Sequence, residues 1–202
     1  NYVGMFGYTS AATIANANVT GSVNGFDFVG GIVGKTNALS TVSTSSFTGS
    51  VTGNSNVGGI VGWNDPSTLD RIFFEGTVTG VINVGGITGW NDGSAIHGAR
   101  FSGTVTGDDK AGGLAGENSG ASDISNVIVS GNVTGATNTG GVLGTNTATG
   151  AVTASYWDTD LGGTTATGSG AGAGTTGLTS TQMTQESSFV ELDFANTWRI
   201  YE

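Results

Sequence analysis

Apolar and polar residues alternate through Phe101-Ser-Gly103-Thr-Val105-Thr-Gly107, a two-residue period that puts every second side chain on one face of a half-buried strand. The block returns at 47–53, 74–80 and 129–135, and its first copy is 19–25. A second block, Val29-Gly30-Gly31-Ile32-Val33-Gly34, returns at 57–62, 84–89, 111–116 and 139–144, with a degenerate copy at 2–7. Its closing glycines are residues 7, 34, 62, 89, 116 and 144, separated by 27, 28, 27, 27 and 28 positions. Five residues before each alternating block stands another apolar residue: Ile14, Val42, Leu69, Ile96 and Ile124. Val152 and Trp157 keep that spacing in a sixth copy. From the closing glycine to this apolar residue the interval is 7, 8, 7, 7, 8 and 8, and no other interval changes. An extra residue tolerated at one point per repeat marks a surface loop there and packed chain elsewhere.

Glycine and β-branched residues dominate, and a 27-residue repeat leaves no room for a sustained helical pattern. The repeat therefore predicts an all-β chain, with each copy one coil of a parallel β-solenoid and like residues stacked ~4.8 Å apart. About six coils of 27–28 residues would span roughly 25–30 Å. The crossover preference of twisted strands predicts a right-handed path. Four columns form the expected core: Met5, Ile32, Ile60, Ile87, Leu114, Val142; Ile14, Val42, Leu69, Ile96, Ile124, Val152; Val19, Phe47, Phe74, Phe101, Val129, Trp157; and Val23, Val51, Val78, Val105, Val133. The solenoid is expected over 1–161, a Gly/Thr-rich loop over 162–177, and a small helix/strand cap over 178–202. Thr179-Ser-Thr-Gln182 reads as a capping box opening a short helix to about Ser188. Phe189, Leu192, Phe194, Trp198, Ile200 and Tyr201 supply an apolar set to fold over the last coil. No comparable cap precedes Asn1 and the chain lacks an initiator Met, so the expectation is a piece of a longer protein with further repeats upstream.

Composition taken alone points the other way. Gly, Ser and Pro make up 59 of 202 residues, a share that signals low complexity when no period is present. The period reassigns those glycines to coil corners, where the chain needs positive φ or a close approach of neighbouring coils. A net charge of −10 argues against nucleic acid or an anionic membrane surface as partner, and discourages self-association. The absence of cysteine excludes a disulfide framework, thiol chemistry and Cys-ligated zinc. No apolar run approaches the ~20 residues of a membrane-spanning helix, so no membrane insertion is expected.

The blocks VGGIVG, VGGITG and AGGLAG with their trailing GxVTG resemble the GLUG repeat, and Gly113-Leu114-Ala115-Gly116 matches its signature literally. The other copies carry Ile, Val or Met at the Leu position. Tyr156-Trp157-Asp158-Thr159, Thr176-Gly177-Leu178-Thr179, Gln182-Met183 and the segment from Phe194 to Tyr201 are similar to the close of GLUG arrays in filamentous-haemagglutinin-like bacterial adhesins. The resemblance spans nearly the whole chain. It implies an extracellular or bacterial cell-surface protein in which the repeats form a non-enzymatic stalk or adhesive module. Implied partners are a host or matrix glycan or protein surface and further repeats of the same parent chain. GLUG repeats also occur beside catalytic domains, including IgA-specific metallopeptidases, but the His-Glu-x-x-His of those enzymes is absent here and no activity transfers.

Candidate chemistry is sparse, and no cofactor is expected. His97, the one histidine, reads as a loop or surface residue; without a second His or any Cys, neither a transition-metal site nor a nucleophile–His pair can be built. Asp65 and Asp92 fall in one column of adjacent coils, where stacked carboxylates repel unless splayed, protonated or bridged. Solvated loop acids are one reading and a paired-carboxylate glycosidase site another, although no further acid completes the latter. Asp158 and Asp160 form a weak calcium candidate without the bidentate acid that should follow. Trp63 and Trp90 should point outward beside Asn64, Asn91, Asn118 and Asn146. That arrangement either holds a sugar ring or packs against a neighbouring loop while the amides bond internally as a ladder. Outward hydroxyls at Thr52, Thr77, Thr79, Thr104, Thr106 and Thr134 give an ice-binding alternative, set against the general use of Thr as an exposed strand former.

Overall fold

A computed structural model of the chain describes residues 1–161, 165–170, 172 and 174–192. The chain is all-β, and its parallel strands wind into a β-solenoid of about six coils bounded by three sheets. The long face is built from Thr41–Thr52, Thr68–Thr79, Ala95–Thr106 and Asp123–Thr134. Thr13–Ala15 and Asn18–Asn24 flank it on one side, and Val152–Asp158 and Thr175–Leu178 on the other. A narrow face stacks Asp27–Gly30, Ser55–Gly58, Ile82–Gly85, Asp109–Gly112 and Thr137–Gly140. The third, the asparagine face, stacks Phe6–Ser10, Val33–Asn37, Val61–Asn64, Thr88–Asp92, Ala115–Ser119, Leu143–Asn146 and Thr167–Gly170.

Register follows the repeat. Phe47 pairs with Phe74, Phe74 with Phe101, Phe101 with Val129 and Val129 with Trp157. The Phe47, Phe74 and Phe101 rings lie 6.0 and 5.9 Å apart and within 10° of parallel. All four expected columns are buried from the second coil onward, but Met5 is 59% exposed because its coil has a neighbour on one side only. For the same reason Ile14, Val19 and Val23 are half-buried. Three further columns complete the core: Val29, Val57, Val84, Ala111; Val33, Val61, Ala115, Leu143; and Ile72, Ala99, Val127.

The last of these exposes a parity problem in the simple strand reading. Val42 and Phe47 are five residues apart, an odd interval, so a straight period-two strand cannot turn both inward. Residues 44, 71, 98 and 126 resolve it by taking positive φ (48°, 51°, 65° and 56°), a bulge that absorbs one residue and bends the long face. Glycine is dictated where coils touch. A Cβ on Gly59 would run into the carbonyl oxygen of Gly86 and the Phe74 ring, so the second glycine of the block is the space that the aromatic column fills.

The C-terminal region departs from the expectation. The stretch anticipated as a loop carries Thr167–Gly170 and Thr175–Leu178, which pair in parallel with the sixth coil and begin a shortened further turn. Thr179 and Gln182 make the reciprocal contacts of a capping box: Thr179 N–H donates to Gln182 Oε1 at 2.9 Å and Gln182 N–H to Thr179 Oγ1 at 3.2 Å. The box opens two three-residue 3-10 turns, Gln182–Thr184 and Glu186–Ser188, in place of the expected helix. Phe189 and Leu192 do not lie over the end of the solenoid. They join Ala154, Tyr156 and Leu178 in a second apolar cluster with Ile128 and Met183. Tyr156 and Ile128 share a column with exposed Arg100, so this cluster sits on the outer side of the long face. Phe194, Trp198, Ile200 and Tyr201 lie outside the described residues.

Candidate functional site

The aromatic and amide columns of the asparagine face hold most of the chemistry read from the sequence. Strict alternation along Val61–Asn64 would turn Val61 and Asn64 to opposite faces, yet both are buried at the corner where the chain leaves this sheet for the long face. Asn64, Asn91 and Asn118 are fully buried, and Asn146 nearly so. Each amide donates to the next along the axis: Asn64 Nδ2 to Asn91 Oδ1 at 2.8 Å, Asn91 Nδ2 to Asn118 Oδ1 at 2.8 Å, and Asn118 Nδ2 to Asn146 Oδ1 at 3.0 Å. Thr36 Oγ1 donates to Asn64 Oδ1 at 2.8 Å and starts the series. Of the two arrangements expected for this column, ligand contact or an internal ladder, Asn64 and Asn91 adopt the ladder, which satisfies the demand that buried polar groups be hydrogen-bonded.

Trp63 and Trp90 stand in register outside the ladder, half-buried, with ring centroids 4.8 Å apart and planes 4° from parallel. Lys35 precedes Trp63 in the same column. Its Nζ lies 3.3 Å from the Trp63 ring centroid and 3.0 Å from Asp65 Oδ2, and the residue is only 7% exposed. Phe28 stacks near Trp63 at 5.5 Å, and Tyr2 near Phe28 at 5.2 Å. Trp90 Nε1–H donates to Ser119 Oγ at 2.8 Å, and that hydroxyl donates to Asp92 Oδ1 at 3.0 Å. Both faces of the Trp63 indole are thus occupied from within the chain, by Trp90 on one side and by Lys35 and Phe28 on the other. Stacking against a sugar uses a free ring face, which Trp63 does not offer. Asp65 and Asp92 are splayed, one turned to Lys35 in the preceding coil and the other to Ser119 in the following one.

The hydroxyl array occupies the end of the long face. Thr52, Thr79, Thr106 and Thr134 form one register column, and Thr77 and Thr104 lie in another between Ser50 and Asn132. All six threonines have solvent access. The neighbouring outward column interrupts the hydroxyl surface with Glu75.

Asp158 and Asp160 hold the tail. Asp158 Oδ1 accepts from Asp160 N–H at 2.9 Å and its Oδ2 from Ser180 Oγ at 2.7 Å, while Asp160 Oδ2 accepts from Ser180 N–H at 2.9 Å. Among the described residues no group of three or more His, Asp or Glu side chains converges as a metal set would. His97 lies on the long face, half-buried, with Nδ1 2.8 Å from Ser125 Oγ. On the narrow face, Asp109 Oδ1 accepts from Thr137 Oγ1 at 2.6 Å and Asn138 Nδ2 at 2.8 Å. These two bonds, Thr137's first, hold the Asp109 carboxyl below the usual aspartate range.

Two features escaped the sequence reading. Ser40, Ser67, Ser94 and Ser122 form a buried column in which Ser67 N–H donates to Ser94 Oγ and Ser94 N–H to Ser122 Oγ, both at 3.1 Å. Their spacing of 27, 27 and 28 was the available signal. The extension of the tryptophan pair into Phe28 and Tyr2 was hidden because those rings sit in a different block of the repeat. No family model, curated protein or solved structure matches the chain.

Proposed function

We propose that the chain is a non-enzymatic rod segment of a secreted bacterial surface adhesin, holding binding elements away from the cell. The observation that carries this reading is where the polar side chains go. The buried Asn and Ser columns and the Lys35–Asp65 pair run along the axis from coil to coil, so polar groups tie successive coils instead of converging on a cleft. Axial ladders of this kind stiffen a solenoid, because bending it must break several in-register bonds together. The GLUG-like blocks support the adhesin context and the extracellular location. The test displays the chain on a non-adherent bacterium and measures retention on surfaces coated with matrix or host glycans and proteins, alongside polysaccharide turnover by the purified chain. Retention without turnover is the expected result. Turnover that Asp65→Asn abolishes overturns the reading.

A second reading rests on the in-register column Thr52, Thr79, Thr106 and Thr134, a regular hydroxyl array of the kind that orders water at an ice surface. It requires thermal hysteresis that Thr79→Tyr and Thr106→Tyr remove. Hysteresis that survives both substitutions, or none at all, eliminates it.

A further inference from the structure

The chain carries 15 acidic side chains and 5 Lys or Arg. Four of the basic ones, Lys35, Arg71, Arg100 and Lys110, fall within the described residues. Three of these are paired: Lys35 with Asp65 at 3.0 Å, Arg71 with Asp70 at 2.9 Å, and Lys110 with Glu117 at 2.9 Å. Among the described residues Arg100 alone has no carboxylate partner, although acids are in large excess. It stands exposed on the outer side of the long face, in the middle of the stack, with a paired strand on either side. Its guanidinium carbon lies 5.5 Å from the centroid of the Phe73 ring, the preceding member of its column. That contact restrains a long side chain, so less rotamer freedom remains to be lost when a ligand binds. Along its own strand the flanking outward positions are Gly98 and Ser102, and neither crowds it.

We propose that Arg100 receives the carboxylate of an acidic sugar, making this part of the long face an adhesive subsite for glycans whose carboxylates are single and well spaced. The inference names a ligand class for the adhesive reading and rests on it. A guanidinium meets a carboxylate with two parallel N–H···O bonds, a geometry that an ammonium cannot reproduce. Beside it stand groups of the kinds a sugar ring uses: the Ser102 hydroxyl for ring hydroxyls, and half-buried Phe73 and Ile128 for a C–H face. An acidic peptide is served less well. Ala95–Thr106 is paired along both edges, so it offers no free strand edge to a peptide backbone. Charge sets the spacing of the ligand's acids. With −10 on the chain and exposed Glu75 one outward column away in the preceding coil, a densely sulfated polymer is repelled, whereas one carboxylate at one arginine is not.

NMR titration of the isotope-labelled chain with a glucuronate disaccharide and with sialyl-lactose, over about 0.05–20 mM, tests it. At least one of the two sugars should shift the amides around Arg100, and which one does so identifies the source of the carboxylate. Arg100→Ala should weaken that binding at least about tenfold, and Arg100→Lys should recover part of the loss. Because the side chain is exposed, neither substitution should move the circular dichroism spectrum or the denaturation midpoint. Esterifying the sugar's carboxylate should weaken binding to the wild type by the same factor, with no further loss in Arg100→Ala, since both changes remove one interaction. Losses that add, tighter binding of a heparin-like polysaccharide or of an oligoglutamate peptide, or no shifts around Arg100 with either sugar each overturn the proposal. Retention of the displayed chain on glycan or protein surfaces that is unaffected by Arg100→Ala would also overturn it while leaving the adhesive reading in place.

Discussion

Asn91 occupies the middle of the buried amide ladder, accepting from Asn64, donating to Asn118 and donating again to the Ser94 carbonyl at 3.2 Å. Replacing it with Ala leaves Asn64 Nδ2 and Asn118 Oδ1 buried without their partners. Each orphaned group costs about 1–3 kcal/mol, so Asn91→Ala should lower the unfolding free energy by about 2–5 kcal/mol in chemical denaturation. Thr36→Val, at the ladder's start, strips a bond from Asn64 Oδ1 alone and should cost less, about 1–3 kcal/mol. If the two variants were equally destabilised, the amides would not act as a connected series. Asp109 offers a pH-dependent counterpart. Its folded pKa lies below the unfolded one, so its contribution to stability is complete above the unfolded value of about 3.9 and disappears as pH falls through the lower folded value. Carbon-13 NMR should find Asp109 titrating below an ordinary aspartate, and Thr137→Val should bring it upward. At this scale the sequence showed which residues share a column and, for the apolar and threonine columns, which way they face, but left the asparagine column open between a ligand and an internal ladder. Trp63, Trp90 and their asparagines were correctly grouped, while the burial of the amides depends on a corner that residue identity does not announce.

Among elements, the strands of the long face show why periodicity was a sufficient guide to the fold and an incomplete one to its detail. Stacked columns of Ile, Phe and Val require like residues at equal intervals, and that requirement is visible without a structure. The odd interval between Val42 and Phe47 also stood in the sequence, but Thr44, Arg71 and Asn126 carry no common mark of the positive φ that reconciles it. The strands Thr167–Gly170 and Thr175–Leu178 were hidden for a related reason, since they bring little apolar surface beyond Ala166 and Leu178 and so carry no alternating pattern. Glycines 21, 49, 76 and 103 form a second bend with φ near 140°, and two of them separate conformation from contact. A Cβ at Gly76 would collide with the carbonyl oxygen of Gly49, whereas at Gly21 it would meet nothing within 4 Å. Gly21→Ala therefore bears only the backbone strain of about 1–3 kcal/mol. Gly76→Ala adds displacement of a neighbouring coil and should be the more destabilising by at least about 2 kcal/mol. Thermal and denaturant midpoints of the two variants check the order; a reversal would mean that the coils are looser at Gly76 than their register indicates.

The whole molecule is a stack in which each coil contacts its neighbours, so its tolerance to change is set by where the stack is tied. The coils of 28 residues carry their additional residue at the exposed corner between the asparagine ladder and the serine column. Asn37-Ala38-Leu39 stands there in one coil where Asp65-Pro66 stands in the next, and Leu39 is 81% exposed. Ala38 and Leu39 both take positive φ, and the backbone still returns so that Thr41 pairs with Thr68. A glycine inserted between Asp92 and Gly93 enters the equivalent corner of a shorter coil. Because lengthening a surface loop by one residue adds little closure entropy, it should change the unfolding free energy by less than about 1 kcal/mol. The same insertion between Thr77 and Val78 falls within a strand paired on both sides. It turns Val78 toward solvent and a threonine into the core, or forces the strand out of register with both neighbours, and should remove more than about 4 kcal/mol or prevent folding. Denaturation of the two insertion variants, read by circular dichroism, distinguishes a register-locked solenoid from a stack held by nonspecific burial. In the second case the two insertions would cost alike, and the invariance of every other interval in the repeat would have no physical cause.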